Sequence, residues 1–470
     1  MIELHATAMA LQWIVLAYFI GLNGGYLLLN LMSLAGIRRY LEARALDALP
    51  QAASRYEPPV SIIVPAFNEQ SAIVATVRSL LQLPYPQLEV IVVNDGSTDE
   101  TLEVLREAFS LGLFPEAYWK RLPVRHVRAI YRSTTFPGLR VIEKSRGGRA
   151  DSLNAGVNAA RFPLFCATRV GCILSRDSLR RMVQPFVENI TTAASTCTLR
   201  IANGCSTSGG FLDAAGLPGK LLALIQVMEY LRTFLFARLG WSAMNAALTA
   251  SGAFDVFRKQ AVVDAGGFRS GIACPYSELQ MRLHRVHRLA GEPCRIVVVP
   301  DPVCWIEAPG SLSALRQQRI RWQRGLAEAL VANLRLLFHR RGGAPGWVSF
   351  PFTLAFELLG PPIEVLAYAL LLAAFAFGLI SWQGLAAIMA VAIGFGILLS
   401  VSALLLEESS FRLYRRPTQL LRLLTAALVE NIGYHQLVAL WRTEGLIRWL
   451  RRRAGERRHG TGTRENRGPA

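Results

Sequence analysis

Two stretches of this chain carry no charged side chain over a length that reaches across a bilayer. The first runs from Ala6 to Ile37 and is followed directly by Arg38-Arg39; the second runs from Val365 to Leu406 and is interrupted by Ser381-Trp382-Gln383-Gly384. Hydrocarbon offers the backbone no hydrogen-bond partner, so an apolar run of about 20 residues crosses it as a helix. The first stretch therefore reads as one span, and the second as two spans joined by a short turn. The first is too long for a signal peptide and has neither a basic start nor a small-residue cleavage site. A hydrophobic content of 52% fits this plan.

The flanking charges orient it. His339-Arg340-Arg341 precede the pair of spans and Arg412, Arg415 and Arg416 follow it, which places both flanks inside and everything from Arg38 to about Phe350 in the cytoplasm. The localisation expected is the inner (cytoplasmic) membrane. A last apolar segment, Pro417 to Leu440, contains Glu430, Asn431 and His435, and from Arg442 onward nine Arg stand against three Glu. Exporting that tail would break the positive-inside rule, so an interfacial or re-entrant helix is expected over 417–440. The organisation is then a span in 1–37, a connector over 38–56, a soluble domain over 57–335, a membrane region over 336–441 and a basic tail over 442–470. The net charge of +18 raises nucleic acid as a partner. Much of the surplus flanks the membrane segments and no nucleic-acid-binding motif is present, so the expected partner is an anionic lipid bilayer. Seven cysteines without a C-x-x-C spacing read as reduced, mostly buried thiols.

Within the soluble domain, β-branched runs alternate with helix-like stretches. Val60 to Ala66 and Leu88 to Asn94 are the clearest strands, with further candidates at Pro123 to Ile130, Leu139 to Glu143, Leu164 to Thr168 and Arg295 to Val299. Ser97-Thr98-Asp99 caps a helix running to about Phe109. The alternation predicts an α/β fold with a mainly parallel sheet, whose ligand crevice lies at the carboxyl ends of the strands. Asn94-Asp95 and Thr168-Arg169 stand at such ends.

The ordered blocks VPAFNE, VNDGSTDET, GGRADSLNAG, SGAF, GGF and QRIRWQRG resemble those of the membrane-integrated family-2 glycosyltransferases, which include cellulose, hyaluronan and poly-N-acetylglucosamine synthases. The resemblance covers about residues 57 to 330 and implies a GT-A, Rossmann-like nucleotide-diphospho-sugar transferase domain beside transmembrane α-helices. It places Pro65, Ala66, Asn68, Glu69 and Asp95 in a nucleotide pocket, and Gly148, Arg149 and Asp151 beside the diphosphate. Gln318, Arg321 and Trp322 match the family's Q-x-x-R-W motif, which meets acceptor sugar and pyrophosphate; their spacing puts them on one helical face. The implied partners are a UDP-sugar or other nucleotide-sugar and a glycan acceptor, in the assembly of a cell-surface polysaccharide or glycolipid.

The same comparison exposes two gaps. Family members hold Mg²⁺ or Mn²⁺ with an Asp-x-Asp pair, hard cations that want oxygen ligands; here that place reads Arg169-Val170-Gly171. The family's base is the Asp of a Glu-Asp pair after the GGF turn, and here Pro275-Tyr276 stand there. No metal cofactor is therefore expected. One reading is a degenerate transferase that binds nucleotide and partners an active synthase. Another is an active inverting enzyme in which Arg169 replaces the metal and Asp255 or Glu278 supplies the base. A non-binding membrane scaffold is the third. Bland roles compete for each residue: Arg169 paired with a neighbouring acid, Asp255 in a turn, Glu278 beside Arg282.

Overall fold

The computed structural model describes residues 2–47 and 57–460, with side chains for 17–42 and 57–455. Residues 48–56 of the expected connector and 461–470 of the expected tail lie outside the described residues.

Twelve strands form one sheet: β1 (Val60–Ala66), β2 (Leu88–Asn94), β3 (Leu111–Leu113), β4 (Val127–Ser133), β5 (Leu139–Lys144), β6 (Leu164–Thr168), β7 (Ile173–Leu174), β8 (Thr192–Ile201), β9 (Ser206–Ser208), β10 (Phe211–Ala214), β11 (Phe254–Arg258) and β12 (Arg295–Ile306). Their order is β3-β4-β5-β2-β1-β6-β11-β8-β12-β7-β10-β9. β5, β2, β1 and β6 run parallel, with Val60 opposite both Leu88 and Leu164. Helices cover both faces, so β1, β2 and β6 are apolar nearly throughout rather than alternating, while β5 carries Arg140, Glu143 and Lys144. The sheet as a whole is mixed rather than mainly parallel: β8–β12 and β7–β10 are parallel as well, while the β3–β4, β4–β5, β12–β7 and β10–β9 pairs are antiparallel. β11 enters antiparallel to both β6 and β8. β8 is not among the expected strands: its Thr-Ala-Ala-Ser-Thr-Cys-Thr start is small and polar yet buried at every position.

Helices of suitable length and apolarity stand where spans are expected. Ala17–Glu42 and Trp382–Ser410 are helices long and apolar enough to cross a membrane, and Pro345–Leu358 with Gly360–Ala376 forms a third such unit, bent by 42°. The first member of the expected pair thus begins well before Val365. A π-helical turn over Thr353–Leu358 and the prolines Pro361 and Pro362 account for the bend. The turn between the pair lies where expected, with the Ser381 hydroxyl accepting from the Gly384 N–H at 3.2 Å.

The Ala-rich connector is expected to be helical, and it is helical and continuous with the first helix through Asp47. The basic segment after Arg442 is no free tail up to residue 460. It belongs to a helix, His435–Gly460, separated from Pro417–Val429 by a kink where Gly433 has φ +88°. That last helix packs along Leu312–Ala332, the helix bearing Gln318, Arg321 and Trp322. Arg316 grips Glu444 with two hydrogen bonds of 3.0 and 2.8 Å, and Arg442 donates to Gln323 at 2.8 Å.

Candidate active site

A cavity of about 890 Å³ opens at the carboxyl ends of β1, β2 and β6 and continues between the membrane helices. Ala66 closes β1, Asp95 follows β2 and Arg169 follows β6, the crevice position that an open α/β sheet offers a ligand. Of the residues singled out from sequence, Pro65, Ala66, Glu69, Asp95, Gly148, Arg149, Arg169, Gln318, Arg321 and Trp322 line it. Asn68, Asp151, Asp255 and Glu278 do not.

Each of those four is engaged elsewhere. Asn68, at φ +55°, ties its own loop to the next: its Oδ1 accepts from the Thr98 N–H at 2.9 Å, and its N–H donates to the Ser97 hydroxyl at 3.1 Å. Asp151 is buried, 2.6 Å from Lys144, and accepts from the Arg125 N–H at 3.0 Å. Asp255 is fully buried and accepts from the hydroxyls of Thr196 and Ser251, each at 2.5 Å, and from the Gly252 N–H at 2.7 Å. Burial pushes its carboxyl up against those three donors. Glu278 is equally buried and takes two hydrogen bonds from Arg282, at 3.0 and 2.8 Å. Neither Asp255 nor Glu278 reaches the cavity, so neither is placed to take a proton from an acceptor there. Alternation along β11 and the i,i+4 match to Arg282 turn both carboxylates inward.

Asp95 lines the cavity yet spends its charge inside the protein. One oxygen accepts from Lys144 at 2.5 Å and from the Gly147 N–H at 2.9 Å, the other from the Gly148 N–H at 2.7 Å. Lys144 is fully buried between Asp95 and Asp151, one cation shared by two carboxylates, and with the backbone N–H donors of Gly147 and Gly148 the cluster fixes the glycine turn. A Cβ at Gly147 would come within 2.3 Å of the Asp151 carboxylate, which is why glycine stands there.

The cations are disposed differently. Arg169 is exposed to the cavity and has no carboxylate within ion-pair distance among the described residues. The paired-acid role is therefore not what the structure shows. Arg321 is similarly unpaired. Arg149 lies over the Tyr276 ring at 5.1 Å and donates to the Gly252 carbonyl at 3.1 Å. Arg146, which the sequence reading passed over, stacks on Phe67 at 4.1 Å; its place beside the glycine pair was the available signal. Glu69 is the acid nearest this group. Burial raises its pKa, while the charges of Arg169 and Arg149 pull it back.

The loop after β6 has lost more than its acids. Gly171 sits at φ +79°, a conformation that glycine takes freely and an L-aspartate adopts only with strain. Among the described residues no group of three or more His, Cys, Asp or Glu could hold a metal ion. The donor set at this place does not suit a divalent cation.

On the acceptor side, Trp322 packs edge-on to Phe234 at 6.0 Å and lies under Arg319 at 4.6 Å. Arg319 is held by Glu229 at 2.6 Å. Beyond this neck the wall carries Asn23, Asn30, Tyr368, Asn431 and Gln436 from the membrane helices. Polar side chains at membrane depth face a hydrated passage or each other, not lipid.

The cleft thus lies at the strand ends of an α/β sheet and opens toward helices long and apolar enough to cross a membrane. The family model "Glycosyl transferase family 2" matches residues 61–209 and "Glycosyl transferase family group 2" matches 199–381. The chain belongs to glycosyltransferase family 2. It is 26% identical over 272 residues to a poly-beta-1,6-N-acetyl-D-glucosamine synthase of Staphylococcus epidermidis, covering 58% of this chain and 55% of that protein. The same-named protein of Staphylococcus aureus strain COL is 26% identical over 273 residues with the same coverage. The chain thus spans about half the length of these curated relatives, at 55%. In fold it is similar to the mannosyltransferase PcManGT from Pyrobaculum calidifontis, solved with GDP-Man and Mn²⁺, at TM-score 0.53 and 20% identity over 89% of this chain and 99% of that one.

Proposed function

We propose that this chain is a membrane-bound transferase of cell-surface polysaccharide or glycolipid synthesis that holds a nucleoside-diphospho-sugar with arginines instead of a divalent cation. The observation that carries this reading is the set of guanidinium groups Arg146, Arg149, Arg169 and Arg321 on one cavity whose Asp95 is already paired with Lys144. Guanidinium pairs with phosphate through two parallel hydrogen bonds and keeps its charge at any physiological pH. Such a cluster supplies fixed positive charge to a leaving diphosphate, the role for which relatives would use a metal. The relatives' names and the bound GDP-Man of the neighbouring fold support a nucleotide-sugar donor. A polar passage leading from the site into the membrane helices supports a glycan acceptor and an inner-membrane setting with the sheet domain in the cytoplasm. The open cavity speaks against a scaffold with a closed pocket.

The test is calorimetric titration of the solubilised protein with UDP and GDP, in EDTA and in Mn²⁺, beside an assay for released nucleoside diphosphate. Equal affinity with and without metal, lost in Arg169→Ala, is the expected result; binding that appears only with Mn²⁺ overturns the reading. A second reading, a nucleotide-binding partner of an active synthase, is favoured by the burial of both Asp255 and Glu278. It predicts binding without turnover.

A further inference from the structure

Transfer to a sugar hydroxyl needs an acceptor for the hydroxyl proton, and neither Asp255 nor Glu278 reaches the cavity to be one. The acids lining the cavity divide cleanly. Asp95 is bound by Lys144, Glu229 by Arg319 at 2.6 Å and by the Tyr434 hydroxyl at 2.7 Å, and Glu364 lies 3.3 Å from His435. Glu69 lies on the nucleotide side, under the charge of Arg169 and Arg149. That leaves Glu357, in the π-helical turn Thr353–Leu358 of the bent membrane unit. Its carboxylate has no hydrogen-bond or ion-pair partner among the described residues.

Everything about its backbone is fixed, in contrast. The Glu357 carbonyl accepts from Gln323 at 3.1 Å and from Arg442 at 2.6 Å, and Gln323 also accepts from Arg442 at 2.8 Å. The helix that bears Gln318, Arg321 and Trp322 and the last helix of the chain thereby clamp this one residue. Arg442 from the last helix, Arg238 from the helix Arg238–Ala243 and Tyr26 from the first helix line the same cavity and act on Glu357 electrostatically. Arg238 donates to the Ala250 carbonyl at 3.2 Å, two residues from the Gly252 carbonyl that holds Arg149. Glu357 thus lines the same cavity as Arg149, Arg169, Arg321 and Trp322, on the side contributed by the apolar helices.

We infer that Glu357 is the proton acceptor of this site, supplied by the membrane segment in place of the carboxylate the sheet domain lacks. This rests on the transferase reading above. The acceptor hydroxyl oxygen bonds to the anomeric carbon of the donor sugar, and the bond from that carbon to the diphosphate oxygen breaks. The hydroxyl proton passes to Glu357, and the nucleoside diphosphate leaves with its charge held by Arg149 and Arg169. The proton is then lost to water in the passage.

The experiment compares wild type, Glu357→Gln and Glu357→Asp as full chains in nanodiscs, with UDP-N-acetylglucosamine, UDP-glucose and GDP-mannose as donors. Acceptors are an N-acetylglucosamine oligomer and a polyprenyl phosphate. Removing a general base costs about 10²- to 10⁴-fold in rate, so Glu357→Gln is expected to lose at least that much kcat while nucleoside-diphosphate affinity stays within about twofold. The acid limb of the wild-type pH–rate profile should disappear with it, and Glu357→Asp should recover part of the rate. A Glu357→Gln rate within about threefold of wild type overturns the inference and leaves the transferase reading intact. So does turnover confined to polyprenyl phosphate, an acceptor already ionised and in no need of a base. Binding without turnover in wild type overturns both.

Discussion

The Arg149 guanidinium lies 5.1 Å from the centre of the Tyr276 ring and donates to its hydroxyl at 3.4 Å. Tyr276 stands where the resemblance to family-2 transferases implies a base, and here it is a buried phenol whose pKa burial raises. It therefore stays protonated and serves to place a cation. Replacing it by Phe keeps the stack and removes a long hydrogen bond, so nucleoside-diphosphate affinity should fall by no more than about threefold. Tyr276→Asp, the change that restores the family's acid, should instead weaken binding by about tenfold or more, because a carboxylate there would compete with the diphosphate for Arg149. Titration calorimetry on the two variants reads the difference directly.

Restoring the metal motif should fail for a related reason. Arg169→Asp removes the unpaired guanidinium, and Gly171→Asp forces an L-residue to φ +79°, at a cost of about 1–2 kcal/mol. The double variant is expected to lose metal-independent affinity by about 10- to 100-fold, the worth of one or two charge-assisted hydrogen bonds. Addition of Mn²⁺ should recover little of it. Recovery to the wild-type level in Mn²⁺ would show that the loop still accepts the ancestral geometry.

Acidification should tighten nucleoside-diphosphate binding. Glu69 already holds its proton above the ordinary glutamate range because burial outweighs the nearby arginines. A bound diphosphate adds negative charge and raises that pKa further, so the complex binds more protons than the free protein over the interval between the two values. Affinity then rises as pH falls through that interval and levels off below it. Glu69→Gln should bind more tightly at neutral pH and lose this slope. A pH-independent affinity in wild type would place Glu69 outside the reach of the ligand.

The sheet domain was legible because its central strands, β1, β2 and β6, are short apolar runs ending in the residues that line the cleft. The missing acids at 169 and 171 were equally plain once the flanking blocks fixed the register. What the sequence could not carry was direction and distant partnership. Asp255 is satisfied by Thr196, which lies on a strand too polar to be recognised. Glu357 gains its place only when the helices Leu312–Ala332 and His435–Gly460 close on its carbonyl. A similar gap concealed the last helix, whose arginines suggested a solvated tail.

Gly445 tests that helix by the sign of a substitution. On a free basic tail, Gly445→Ala would be neutral or would add about 1 kcal/mol of helix stability. In the fold, a Cβ at this position meets the Ile320 carbonyl oxygen at 2.8 Å and the Ile320 Cα at 3.1 Å, both backbone atoms that cannot rotate away. The substitution must therefore push His435–Gly460 off Leu312–Ala332, and overpacking of this kind costs about 1–3 kcal/mol. The displacement falls on the helix that presents Arg321 and Trp322, and on the Arg442 clamp at Glu357. Gly445→Ala should therefore lower the melting temperature of the detergent-solubilised protein and slow transfer more than it weakens nucleotide binding. An unchanged or higher melting temperature would mean that the two helices are apart in solution.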